Sequence, residues 1–103
     1  MLKRYLKTVK IQQSRQERNL SLDTEQSIIL EKPSTELVSW VATSTAATNF
    51  YIYVSIDGTN YYKFLEKTSV TKWADSAWIA FPYVMLKADA AAGATADLLL
   101  ATA

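Results

Sequence analysis

Cysteine and histidine are both missing from this 103-residue chain, and with them go the disulfide framework, the thiolate metal site, the commonest zinc ligand and the commonest general base. Of the ten carboxylates, Asp57, Glu66, Asp75, Asp89 and Asp97 are spread along the second half with no spacing that pairs two of them for acid–base work. A non-enzymatic protein without a cofactor or metal is the expectation. Long apolar runs are also missing. The longest, Ala77 to Leu86, contains Pro82 and falls well short of the roughly 20 residues a membrane helix needs. The apolar residues of Leu2 to Ile11 are interrupted by Lys3, Arg4, Lys7 and Lys10, which argues against a secretory signal. These features lead us to expect a protein made in the cytoplasm that does not enter a membrane.

Half of the residues are apolar and a fifth are charged, ordinary for one folded domain of this size. Net charge is only +1, yet residues 1 to 18 hold six bases (Lys3, Arg4, Lys7, Lys10, Arg15, Arg18) against Glu17, while the rest of the chain holds five bases against nine acids. A basic arm on an acidic body can be steered onto the body of a neighbouring copy. Residues 1–19 therefore read as an N-terminal arm and residues 20–103 as the domain. In the arm, Leu2, Tyr5, Leu6 and Val9 fit helical spacing, while Tyr5, Val9 and Ile11 share one face of a strand. An extended arm is the preferred reading. Gln12 to Asn19, with no apolar residue, reads as a linker.

Beyond the arm, alternation of apolar and polar residues dominates. Leu20 and Leu22, then Ile28 to Leu30, suggest short strands ending at a Pro33–Ser34 turn. Leu37, Val38, Trp40 and Val41 form a β-rich run, and the small polar stretch Thr43 to Thr48 reads as a loop. From Phe50 to Ile56 the even positions are aliphatic or aromatic and the odd ones Tyr51, Tyr53 and Ser55. This is the clearest strand. Asp57, Gly58, Thr59 and Asn60 then supply a turn, with Gly58 free to take positive φ and Asp57 able to accept backbone N–H bonds, and Tyr61 to Leu65 return. Trp78 to Leu86 is apolar on both faces, as a covered central strand would be, although Pro82 implies a bulge or bend. Ala88 to Ala92 with Gly93 make a turn before Ala96, Leu98 and Leu100 alternate. Six to eight short strands predict an all-β antiparallel sandwich.

The hairpin Tyr53-Val54-Ser55-Ile56-Asp57-Gly58-Thr59-Asn60-Tyr61, the strand Phe81-Pro82-Tyr83-Val84-Met85-Leu86-Lys87 and the terminal strand Ala94 to Thr102 resemble those of small β-sandwich domains in bacteriophage structural proteins, a likeness that covers the last half of this chain, from Phe50 onward. They resemble, more distantly, discoidin-like (jelly-roll) carbohydrate-binding modules. Tyr61 stands where those domains usually have tryptophan. The resemblance implies a virion component such as a capsid decoration, or cement, subunit, or a tail or fibre module. Its partners would be the major capsid or other virion proteins and further copies of itself, with a host glycan as the alternative ligand.

Residue type singles out the candidate contacts. The aromatics Tyr51, Tyr53 and Trp73 suit an interface or a sugar-stacking platform; Trp73, in a polar stretch, is the expected exposed anchor. The Asp57–Asn60 segment reads as a structural turn before it reads as a ligand loop, and it lacks the spacing of an EF-hand calcium site. The arm reads as a tether before a nucleic-acid contact or an interfacial helix, because Leu2, Tyr5, Leu6, Val9 and Ile11 would be wasted on phosphates.

Overall fold

A computed structural model describes residues 13–32 and 35–102. Leu2, Tyr5, Leu6, Val9, Ile11 and the bases Lys3, Arg4, Lys7 and Lys10 lie outside the described residues, as does the Pro33–Ser34 turn. The described residues form six antiparallel strands: β1 (Ser14–Ser21), β2 (Gln26–Glu31), β3 (Glu36–Ser55), β4 (Tyr62–Ile79), β5 (Tyr83–Ala88) and β6 (Thr95–Thr102).

The strands fall into four lanes. β3 pairs with β4 over most of its length, with β6 through residues 38–44 and with β5 through residues 50–55. β1 lies outside β6, and β2 lies outside β5. One half of the sheet is therefore β1-β6-β3-β4 and the other β2-β5-β3-β4, joined by the long β3/β4 ribbon. Residues of both halves meet in one hydrophobic core that includes Trp40, Phe50, Ile52, Val84, Leu86, Leu98 and Leu100. The result is a small all-β sandwich, nearly closed like a barrel.

The lanes change direction at the same level. β3 advances from Thr43 to Thr48 while β4 moves only between Lys72 and Val70, and Ser69 takes a φ of 56° there, its N–H bonded to Asn49 Oδ1 at 2.9 Å. In the outer lanes Leu22 exchanges backbone bonds with Ala91 and Ala94 of the β5–β6 turn, and Gly93 N–H donates to Asp23 Oδ1. Thr43 to Thr48 is thus the bend of one continuous strand and not a loop between two.

Side-chain parity explains the core. Along β5, β6 and β3 outside the bend at residues 44–47, the even positions are buried and, apart from Ser55, the odd ones are at least partly exposed, the period of two that a pleated strand imposes. Two further expectations need correction. The linker expected over Gln12 to Asn19 is, from Ser14 onward, strand β1, with Ser14 to Glu17 paired with Ala101 to Leu98 and with Arg15 and Arg18 in the sheet; Gln12 lies outside the described residues. Trp78 to Leu86 is not one central strand: β4 ends at Ile79, Pro82 sits in the reversal, and β5 begins at Tyr83. Proline has no N–H for a ladder, so the chain turns where the donor is missing.

Candidate interaction surfaces

The Asp57 loop is a self-contained turn. One oxygen of the Asp57 carboxylate accepts the backbone N–H groups of Asn60 and Thr59, both at 2.8 Å, and the Ser55 hydroxyl at 3.0 Å, while the Asn60 amide reaches its other oxygen at 2.9 Å. These bonds, led by that from the Asn60 backbone, hold the carboxyl well below the ordinary carboxylate range. Gly58 takes φ 77°, and Tyr83 covers it so closely that an added Cβ would lie 3.0 Å from the ring. Both carboxylate oxygens are thereby used in shaping the turn.

Tyr51 and Tyr53 stand on the outer face of the β2-β5 half, ring centroids 5.8 Å apart. Lys87 lies within 6 Å of both rings, with Lys63 6.0 Å from Tyr51. The Tyr51 hydroxyl donates to Asp89 at 2.7 Å, a bond that raises its pKa by favouring the neutral phenol. Lys87 pairs with Glu25 at 3.0 Å and Lys63 with Glu66. Both tyrosines are half-buried. This patch is polar, charged and internally satisfied.

Trp73 is not the exposed anchor that its polar neighbours suggested. It is buried at 8% exposure, opposite Ala42 and against Trp40, because β4 continues through the polar stretch and its register turns this position inward. The exposed tryptophan is Trp78, at 66%.

Trp78 belongs to a face without charge. Facing residues in paired strands share a side of the sheet, so Ser14, Ala101, Ser39 and Ser76 form one row across the β1-β6 half. Gln16, Leu99, Val41 and Ala74 form the next row. On the other side of the serine row stand Leu37 and Trp78. The nearest charges in register, Asp97 and Lys72, lie beyond Val41, opposite Thr43. Between Ser39, Val41, Leu99 and Ala101 the surface forms a shallow dent of about 180 Å³. The sign of such a face was present in the sequence: Leu37 and Val41 beside Val38 and Trp40, and Leu99 between Leu98 and Leu100, make both sides of two strands apolar.

Of the outermost strands, β1 and β4 carry charge at core-facing register positions, with those side chains exposed, whereas β2 places the buried Ile28 and Leu30 there. On β1 the inward positions facing Leu100 and Leu98 are Arg15 and Glu17; on β4 the inward positions facing Phe50 and Trp40 are Lys67 and Asp75. Inward charge on an edge strand opposes the addition of a further strand. Arg15 reaches across the mouth of the sandwich to the Ile29 carbonyl at 3.2 Å, beside a crevice of about 450 Å³ between β1 and β2. Arg18 approaches Asp97 at 3.7 Å.

No family model and no curated protein matches this chain. Among solved structures it is similar in fold to YomS, a protein derived from the SPBc2 prophage, with a TM-score of 0.64, 6% identity, and coverage of 93% of this chain and 98% of that one. It is also similar to the Yersinia pseudotuberculosis-derived mitogen, with a TM-score of 0.58, 13% identity, and coverage of 91% and 86%. At such identities the likeness describes the fold.

Proposed function

We propose that this chain is a non-enzymatic structural protein of a bacteriophage particle, most specifically a decoration or cement subunit that adds buried interface to neighbouring shell proteins. The observation that carries this reading is the end-to-end fold similarity to a prophage-derived protein of nearly the same extent. The hairpin-to-terminus resemblance to phage sandwich domains and the uncharged Trp78 face support it, since a cement subunit acts by burying surface and not by chemistry. The basic leader, residues 1–12, would reach along a neighbour, with Arg15 and Arg18 held in the sheet.

Mass spectrometry of density-purified particles from phage-producing cells that carry this gene tests the reading. Stoichiometric recovery with the shell is the expected outcome, and particles made without the protein should rupture at lower temperature. Absence from purified particles would reject the proposal, and recovery with isolated tails would move the protein to the tail. Removing residues 2–12 should leave a folded body that no longer joins particles.

A further inference from the structure

We infer that the outer face of the β1-β6 half is a two-fold interface between two copies of this chain, with Trp78 of each copy seated in the Ser39–Ala101 dent of the other. The inference does not depend on residence in a phage particle.

Three properties point to this occupant. Shape comes first. One face carries both a projecting indole, 66% exposed, and, one row along, an apolar dent bounded by Ser39, Val41, Leu99 and Ala101. A knob and a hole on the same surface are what a self-complementary, isologous contact needs, because whatever one copy offers the other must receive. Charge comes second. Neither the serine row nor the Val41 row contains an ionisable side chain, so two copies can meet face to face with no like-charge penalty. The chain's own leader is a poorer occupant: it would place Lys3, Arg4, Lys7 and Lys10 on a face that offers them no counter-ion. Third, the two edge strands that border this face, β1 and β4, carry charge at core-facing register positions, which opposes strand addition there, while the face itself carries none. Tryptophan at the centre of a contact is the residue type whose truncation most often dominates binding.

The full-length chain, Trp78→Ala and Ser39→Lys are compared by sedimentation equilibrium over concentrations up to roughly 100 µM, a range that captures weak dimers. The wild type should be a dimer. Trp78→Ala should weaken it roughly tenfold to hundredfold, and Ser39→Lys, which brings two like charges together near the axis, should leave monomers. Because the wild type has no cysteine, Ser39→Cys gives an independent readout: mild oxidation should yield a disulfide-linked dimer, whereas Thr59→Cys, on the hairpin tip, should not. Circular dichroism shows whether each variant remains folded, and Ser39→Cys decides the matter if either charge or truncation variant does not.

A monomeric wild type overturns the inference. So does a dimer that survives Trp78→Ala and gives no Ser39→Cys cross-link, which would place the contact elsewhere. A monomer that dimerises only after deletion of residues 2–11 would show that the leader covers this face, and that too overturns it.

Discussion

Trp73 meets Trp40 edge to face, ring centroids 5.2 Å apart and planes inclined at 67°. The pair packs diagonally between the neighbouring strands β3 and β4 on the core side of their ladder, and it sets the buried Trp73 apart from the exposed Trp78, only five positions away. Trp73→Ala removes a buried indole and an aromatic contact and should cost about 3–5 kcal/mol. Trp78→Ala, on the outer face, should change the folding stability of the monomer by less than about 0.5 kcal/mol. Urea unfolding of both variants at low protein concentration checks the contrast.

The two glycines separate backbone strain from crowding. Gly58 and Gly93 have similar positive φ values, 77° and 81°, but a Cβ at Gly58 would meet the Tyr83 ring at 3.0 Å while at Gly93 nothing lies within 4 Å. Gly93→Ala should therefore cost only the left-handed backbone penalty, about 1–2 kcal/mol. Gly58→Ala should cost more, and the excess should shrink when Tyr83→Ala is introduced as well. Thermal unfolding of the four proteins closes this cycle.

Acid should loosen the β3/β4 hairpin through Asp57. Its carboxyl is held below the ordinary 3.8 by bonds that require the charged form. As pH falls from 3.8 towards the lowered folded value, the unfolded chain binds the proton first, so this contribution to stability is lost as the pH falls. Asp57→Asn should be less stable at neutral pH and show a shallower decline in acid. Hydrogen exchange at the Thr59 and Asn60 amides is the local measurement.

Lys32 presents the reverse sign. It is buried at 1% exposure, donates to the Ile79 carbonyl and faces the charge of Glu36; burial lowers its pKa from 10.5, partly offset by that charge. Between the lowered value and 10.5 the unfolded chain holds more protons, so this lysine's contribution to stability rises with pH across that window. Lys32→Met removes the cation that faces the buried Glu36 carboxylate and should cost about 3 kcal/mol, whereas Lys32→Met with Glu36→Leu should recover part of the loss. Denaturant titrations at neutral and alkaline pH distinguish the three proteins.

The all-β class was legible because alternation is a local property: Phe50, Ile52 and Val54 face the core wherever the strand lies. The Asp57–Asn60 turn was legible for the same reason, since its bonds run between residues at most three positions apart. Trp73 and the segment Gln12 to Asn19 were misjudged because polar neighbours say little about an edge strand. Such a strand needs only one partner ladder and exposes most of its side chains. The small residues from Thr43 to Thr48 correctly marked a change of direction, but whether a chain bends or ends there depends on partners far away, here β4 and β6.

Sequence alone determined the pleat, the hairpin and the lack of thiol and imidazole chemistry, all of which depend on residue identity and near neighbours. Tertiary structure decided which tryptophan is buried, that Arg15 reaches from β1 to the Ile29 carbonyl of β2, and that serine, alanine and leucine from four strands form one uncharged face around Trp78. Register sets those relationships, and register is chosen jointly by all paired strands, because a slip of one residue would turn an entire buried row to water.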